Sequence, residues 1–352
     1  MKLIIQYITL FIVLLVTPLS LNAADKQEGE ELNVREFIMH HLADSYEWHI
    51  TQVGDKHISI PLPVILFSQK TGWHFFLSSK FHHHPVYENF TIAKEGKYAG
   101  KIIELYNNGK QSRPFDFSIT KFAFALIFNS ILLVSLIMYL VRLYRRKGFG
   151  PKKGIAGLME MLIMSIHDDV IKPCVGKHYR FYAPYLLTIF FFIFLNNLMG
   201  LIPLFPGGVA VTGNIAITFV LAVVIFLLTN AYGTKEYWKE VFWPDVPTWL
   251  KVPLPLMPAI EIIGIFTKPF ALMIRLFANM MAGHAILLGL ASLIFVTVKL
   301  GPFVNSQMTL ISVLLSVFIL FMELLVAFIQ AYVFTLLSSV FIGLSKIEPH
   351  YK

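Results

Sequence analysis

Long apolar runs separated by short polar segments fill the chain after residue 120, and their lengths predict helices that cross a membrane. Three such runs extend from about Phe122 to Leu143, from Phe181 to Leu204 and from Val211 to Tyr232. Each is close to the roughly 20 residues that a helix needs to cross the hydrocarbon core. Two later runs, Ala259–Lys299 and Gln307–Leu344, would each extend about 60 Å as helices, roughly twice that thickness. We therefore expect both to tilt steeply or to project beyond the bilayer.

Two segments between the apolar runs have a different pattern. In Gly154–Lys172 the apolar positions recur at helical spacing but are interrupted by charged residues, so we expect a helix at the membrane surface. The proline-rich stretch Trp243–Pro258 cannot form a continuous helix and is expected to be an interfacial connector. The expected fold is an all-α polytopic membrane protein with five transmembrane helices plus a membrane-surface helix. The last two transmembrane helices would form a long tilted hairpin, closed by a turn at Gly301–Asn305.

The first 24 residues are typical of a secretory signal peptide. Met1-Lys2 precedes an apolar run from Leu3 to about Val16, and Asn22-Ala23-Ala24 supplies small residues for cleavage. A retained membrane anchor is the alternative. Both interpretations place the chain from Asp25 onward outside the cytoplasm.

Residues 25–120 are predicted to form a small mixed α/β exported segment, with short strands at 58–67, 73–77 and 101–106 and a helical start near 33–45. The segment is rich in histidine: His40, His41, His49, His57, His74 and His82-His83-His84. Histidine clusters can bind zinc or copper, but adjacent residues on an extended chain point apart. Solvated histidines are the preferred interpretation, no metal or other cofactor is expected, and a membrane-anchored metalloenzyme is the alternative.

Composition and charge agree with a membrane protein. The chain is 56% hydrophobic with a formal net charge of +8, and part of the excess charge directly follows the first apolar run, in Arg142–Lys147. Basic residues beside a span mark its cytoplasmic end, so the charge is not interpreted as a nucleic-acid surface. The single cysteine, Cys174, excludes an intramolecular disulfide.

Four ionisable residues lie in the otherwise apolar stretch 261–284: Glu261, Lys268, Arg275 and His284. Each charge at the centre of a membrane helix costs roughly 2.5–3.5 kcal/mol or more, so a functional role is the default interpretation. The first three are spaced by seven residues and share one helix face, whereas His284 faces the other way. Titratable groups toward both ends of the stretch, with a permanent cation between them, favour two offset half-channels over one continuous pore.

The predicted hairpin brings further polar residues to the same levels. Folding the chain near residue 303 or 304 sets His284 level with Glu323, and Arg275 about one turn from Gln330. Glu323 and Gln330 are seven residues apart and share a face of the last helix. The hairpin thus predicts a Glu–His proton relay at one level, and at another the arginine with the amides Asn279 and Gln330. The alternatives are an ion-paired hairpin that only stabilises a bundle, and a solute transporter, which usually shows an internal repeat that we do not find here.

These residues resemble the signatures of subunit a of the membrane sector of bacterial rotary (F-type) ATP synthases. The matching segments are IRLFANMMAGH (274–284), ELLVAFIQAYVFTLL (323–337), DDVIKP (168–173), PYLLT (184–188) and NNLMGLIP (196–203). The resemblance covers residues 121–345 and implies a stator subunit that passes protons to and from a rotating c ring through two half-channels. It implies no nucleotide site and hence no enzyme activity of the subunit alone. The exported segment is not part of the resemblance.

The resemblance also implies a role for each site residue. Arg275 would be the stator arginine, positioned by Asn279 and Gln330, while His284 and Glu323 would line the outer half-channel. Glu261 would lie near the cytoplasmic exit, with Lys268 as a supporting basic residue.

Partners and location follow from the same resemblance. The expected partners are the c-ring proteolipids, the peripheral-stalk b subunit, the remaining ATP synthase subunits and membrane lipid. The expected location is the bacterial plasma (inner) membrane, with residues 25–120 in the periplasm and the C-terminus in the cytoplasm.

Overall fold

The computed structural model describes residues 38–39, 41–53, 56–83, 86–93, 98–105, 111–148, 150, 153–202, 205–243 and 256–346. The predicted signal peptide and most of the predicted connector before Pro258 lie outside this part of the chain, as do His40 and the side chains of His82–His84. The chain divides into two compact units, one formed by residues 1–124 and 285–320 and the other by residues 125–284 and 321–352.

Short antiparallel strands form the predicted exported domain of the first unit, whose location outside the cytoplasm stays a prediction. They are β1 (Glu47–Val53), β2 (Lys56–Pro61), β3 (Pro63–Ser68), β4 (Gly72–Leu77), β5 (Phe90–Ile92), β6 (Ile102–Leu105), β7 (Gln111–Ser112) and β8 (Phe115–Asp116). Their sheets have the orders β1-β2, β4-β3-β8 and β5-β6-β7, and a short helix α1 (Lys80–His83) follows β4. The core is built from Tyr46, Val64, Leu66, Phe90 and Ile102. A mixed segment with strands is therefore confirmed.

The single strand expected over 58–67 is wrong, because β2 and β3 are separate strands with different partners. The break falls at Leu62, which is buried and whose backbone N–H donates to Ser78 Oγ (3.1 Å) rather than to a neighbouring strand. The Leu62 carbonyl still accepts from the Ser78 N–H (3.0 Å). The sequence signal of the break is Pro61 and Pro63 on either side of Leu62, because proline has no N–H to donate to a ladder.

Helices make up the rest of the described chain. They are α2 (Lys121–Lys147), α3 (Ile155–Ser165), α4 (Lys172–Val175), α5 (Tyr179–Leu201), α6 (Ile215–Ala231), α7 (Lys235–Phe242), α8 (Leu256–Val296) and α9 (Pro302–Leu344). Among the described residues, four helical stretches are long and apolar enough to cross a membrane, or five if the bent pair α6–α7 forms one span. A polytopic all-α membrane part is confirmed, while the number of five spans stays a prediction.

The helix expected at 154–172 exists but is not a separate element. From α3 the chain continues through a π-helical turn, Ile166–Ile171, and α4 to Gly176, where φ is +68°. A 3-10 turn then leads directly into α5, so that 155–201 is one almost uninterrupted helical stretch. Gly176 breaks the helix because glycine adopts this backbone conformation without steric cost. The position of α3 at a membrane surface stays a prediction.

The two long helices expected for the hairpin are confirmed as α8 and α9, of 41 and 43 residues, while their tilt in a membrane stays a prediction. The turn expected over Gly301–Asn305 is wrong, because a 3-10 turn at Thr297–Leu300 precedes Gly301 and α9 already begins at Pro302. Gly301 adopts φ +98°, and proline is favoured in the first turn of a helix because it has no N–H to leave unbonded.

Buried amides connect neighbouring helices of the second unit. Asn129 Nδ2 donates to Asn196 Oδ1 (2.9 Å), and the hydroxyl of Thr212 donates to Asn197 Oδ1. Both asparagines of α5 are almost completely buried. Hydrogen bonds of this kind hold membrane helices together, which supports packing as the role of Asn196 and Asn197.

Candidate functional site

His284 and Glu323 face each other across the hairpin. The His284 Nδ1–Glu323 Oε1 distance is 3.8 Å, and the two side chains are only 13% and 10% exposed. The expectation that these residues lie at one level of the hairpin is therefore confirmed. The expectation used the fixed rise per residue of two antiparallel helices that would meet near residue 303.

A backbone carbonyl orients the histidine ring. His284 Nε2 lies 3.2 Å from Gly200 O, and a carbonyl can only accept, so Nε2 carries the proton of this hydrogen bond. In a neutral imidazole, Nδ1 is then a free acceptor, and it is the nitrogen nearer to Glu323. Within the described part of the chain, Nδ1 and both Glu323 oxygens are buried without a hydrogen-bond partner. The imidazole and the carboxylate thus face each other without a direct hydrogen bond, and their role in proton transfer stays a prediction.

Gly283 provides the space that Glu323 occupies. A Cβ atom at position 283 would overlap Glu323 Oε1 and lie 2.9 Å from its Cδ. Real Cβ atoms do not approach so closely, so any side chain here would displace the carboxylate. The sequence pattern did not identify Gly283 as a site residue, because a glycine in a membrane helix is common and carries no charge.

We predict that Gly283→Ala slows ATP-driven proton pumping several-fold because it pushes the Glu323 carboxylate away from His284. The matched control is Gly289→Ala on the same helix, where a Cβ would meet nothing within 4 Å. Acidification of inverted membrane vesicles measures both variants. Equal pumping by the two would show that the position of the carboxylate is not critical.

Arg275 lies on the opposite side of α8 from the buried pair. It is exposed, as are Ala271, Ala278 and Ala282, which share its helix face. The expectation that Arg275 and His284 face different ways is thus confirmed. No described residue forms a hydrogen bond or ion pair with Arg275. Asn279 is exposed and Gln330 is buried, and neither forms a hydrogen bond with Arg275. Their role in positioning the arginine therefore stays a prediction.

Lys268 borders a pocket of about 30 Å³ between α6, α7, α8 and α9. Its Nζ lies 5.9 Å from the centroid of the Phe341 ring. Thr229, Asn230 and Tyr237 supply polar groups, and the Tyr237 hydroxyl donates to Asn230 Oδ1 (3.1 Å). A cavity of this size holds one or two water molecules, which need about 10–15 Å³ each.

Glu261 lies seven residues before Lys268 on α8, so the two side chains share a helix face about 10 Å apart along the axis. The sequence pattern did not identify Thr229, Asn230 and Tyr237 as site residues. The available signal was Thr229 and Asn230, two polar residues at the end of an apolar run.

No group of three or more His, Cys, Asp or Glu side chains able to hold a metal ion occurs among the described residues. His74, one of the histidines of the exported segment, bonds Glu88 through Nδ1 and Thr71 through Nε2, both at 2.7 Å. This ring is thus occupied by protein partners.

Comparison with known proteins places these residues in a family. The family described as ATP synthase A chain matches residues 123–343, more than half of the chain. The chain belongs to the ATP synthase subunit a family. The hairpin with Arg275, His284 and Glu323 falls inside the match, whereas residues 37–117 match a domain of unknown function (DUF8433). The boundaries predicted at 1–24, 25–120 and 121–345 stay predictions.

Relatives named as ATP synthase subunit a occur in several bacteria. "ATP synthase subunit a 2" of Chlorobium luteolum is 42% identical over 239 residues, which cover 65% of this chain and 66% of that protein. The Myxococcus xanthus subunit a is 37% identical over 283 residues, covering 78% and 89% of the two chains. The chain thus spans slightly less than two thirds of the Chlorobium luteolum relative. None of these matches supports the alternative of a solute transporter.

Proposed function

We propose that this subunit a is the stator of a proton channel that works against a rotating c ring and couples the proton gradient to ATP synthesis. The observation that carries the proposal is that the two sides of α8 have different environments. One side presents Arg275 outward on an exposed surface, and the other buries His284 against Glu323. The fixed cation Arg275 and His284, one member of the proposed proton-exchanging pair, lie about 13 Å apart along α8.

The exposed side of α8 suits a moving partner helix. Ala271, Ala278 and Ala282 surround Arg275, and small side chains let another helix approach closely in a membrane. An arginine stays protonated at any physiological pH, so it would hold a ring carboxylate in its ionised form as that carboxylate passes. The same charge would repel protons and block their direct passage between the two half-channels.

The buried side suits the outer half-channel. In this proposal a proton enters through His284 and Glu323, whose Nδ1 and Oε1 lie 3.8 Å apart and exchange it once they approach to hydrogen-bond distance or through one bridging water. Gly283 keeps the carboxylate in place, and the Gly200 carbonyl keeps the imidazole oriented. Asn279 and Gln330 would position the arginine when the ring carboxylate is present.

The pocket at Lys268 suits the second half-channel. Its polar lining, with Glu261 on the same helix face as Lys268, would guide a released proton to the cytoplasm. The predicted orientation, with basic residues at the cytoplasmic ends and residues 25–120 in the periplasm of a bacterial inner membrane, agrees with this direction. The peripheral-stalk b subunit and the remaining ATP synthase subunits would complete the complex.

We expect a cysteine at Ala278 to crosslink to the outer helix of a two-helix c-ring proteolipid. The experiment uses assembled complex with Cys174→Ser, Ala278→Cys in subunit a, and single cysteines along the proteolipid helix. The matched control is Ala331→Cys, since Ala331 is fully buried and Ala278 is exposed. Disulfides formed by mild oxidation would be read from gel mobility. No crosslink at 278, or equal crosslinking at both positions, would reject the ring-facing assignment.

A further inference from the structure

The sheet β4-β3-β8 of the exported domain carries apolar side chains on its outer face as well as in its core. Its inner face contributes Val64 and Leu66 to the core. Its outer face carries Ile65, Phe67, Trp73, Phe75, Phe115 and Phe117, which we call the aromatic face. Trp73, Phe75, Phe115 and Phe117 are between 55% and 70% exposed.

Strand register makes the aromatic face continuous. Phe67 pairs with Trp73 on one side and Phe115 on the other, and Ile65 pairs with Phe75. The Phe117 N–H donates to Ile65 O (2.9 Å), which extends the ladder past β8. Ring centroids lie 5.1 Å apart for Phe67–Trp73 and 5.7 Å apart for Trp73–Phe117. A contiguous patch of exposed aromatic rings is rare on soluble domains and marks a surface that binds something.

The chain itself holds this face next to the membrane. After Phe117 the ladder continues, because the Ile119 N–H donates to Pro63 O (3.1 Å), and the first membrane-spanning helix begins at Lys121. Phe117 is four residues from that helix, at most about 14 Å of extended chain. The aromatic face therefore continues directly into a segment that enters lipid.

Direct contacts fix the domain on the start of α2. The Lys121 N–H donates to Ser45 O (2.9 Å), and Lys121 Nζ donates to His41 O (2.9 Å). The Trp48 ring packs edge-on against Phe124, with centroids 5.9 Å apart. These three contacts prevent the domain from swinging away from the end of the span.

We propose that the aromatic face lies in the interfacial layer of the lipid bilayer and anchors the exported domain to the membrane surface. Tryptophan and phenylalanine are favoured at the boundary between headgroups and acyl chains, and no residue of this face is charged. The exposed residues Lys70 and Arg113 lie at the end of the sheet away from α2, where they can approach lipid phosphates. The proposal depends neither on proton transport nor on which side of the membrane the domain occupies.

Nitroxide labels test the proposal in the assembled complex. With Cys174→Ser as background, single variants Phe75→Cys and Phe117→Cys are labelled and reconstituted in vesicles of phosphatidylcholine and phosphatidylglycerol. The control is Gln111→Cys, an exposed position on the sheet β5-β6-β7. Collisions with oxygen, which dissolves in lipid, are compared with those of a water-soluble nickel chelate. We expect the oxygen-to-nickel ratio at positions 75 and 117 to exceed that at 111 several-fold.

Two results would overturn the proposal. Ratios at 75 and 117 equal to that at 111 would place the face in water, and low accessibility to both reagents would mean that protein covers it. A second measurement needs no label: acyl-chain-brominated lipids should quench the wild-type tryptophan fluorescence more than that of Trp73→Phe. Equal quenching of the two would also reject lipid contact, even if a cysteine variant failed to assemble.

Discussion

Arg275→Ala is expected to abolish ATP-driven proton pumping in inverted membrane vesicles while the complex still assembles. Arg275 is exposed, and no described residue forms a hydrogen bond or ion pair with it, so its loss should not disturb the packing of the subunit. It would, however, leave a ring carboxylate without its cation in a low-dielectric environment, where an unpaired charge costs several kcal/mol. The carboxylate would then stay protonated, and rotation would no longer be coupled to release of its proton.

The same substitution should raise the passive proton leak of the vesicles. Without a fixed positive charge, protons can pass between the half-channels without rotation. Ile274→Ala is the matched control, because it removes a partly exposed side chain one position away without removing a charge. We expect that control to pump normally. Normal coupled pumping by Arg275→Ala would reject the stator assignment, and loss of assembly would show that the arginine has a structural role instead.

Helix geometry explains why the His284–Glu323 pair could be predicted from sequence. Two long antiparallel helices have the same rise per residue, so the midpoint of their connection determines which residues are level. The turn itself was misplaced, with α9 beginning at Pro302 instead of after Asn305. The break in the structure, Thr297–Gly301, lies before the midpoint of residues 284 and 323, so the rise per residue predicts the pair only approximately and helix packing sets the final register.

Contacts between helices far apart in sequence were not predictable. The Asn129–Asn196 hydrogen bond and the polar pocket of Thr229, Asn230 and Tyr237 depend on helix rotation and tilt, which are set by packing. In the exported domain, the apolar segment 73–77 between turn-forming residues predicted β4. It gave no indication that Phe115 and Phe117 would extend the same face, because register between distant strands is not contained in a local pattern.

His284→Ala and Glu323→Ala are each expected to slow ATP-driven pumping by about tenfold. This loss is smaller than the roughly hundredfold often caused by removing a positioned acid–base group, because water can replace part of the proton path. Neither variant should raise the passive leak, since Arg275 still separates the half-channels. Glu323→Gln is the shape-matched control: it should be as slow as Glu323→Ala, because it fills the space beside Gly283 but cannot exchange a proton.

The double variant His284→Ala/Glu323→Ala separates a relay from two independent contributions. If the two residues, whose Nδ1 and Oε1 lie 3.8 Å apart, pass the same proton, removing the second group should add little to the loss caused by the first. Pumping rates and leak are measured on the same vesicles for both single variants, the double variant and Arg275→Ala. Multiplicative losses in the double variant would contradict a shared proton. If any His284 or Glu323 variant leaked protons as fast as Arg275→Ala, the proposed division of roles would be contradicted. The buried pair, and not the arginine alone, would then keep the two half-channels apart.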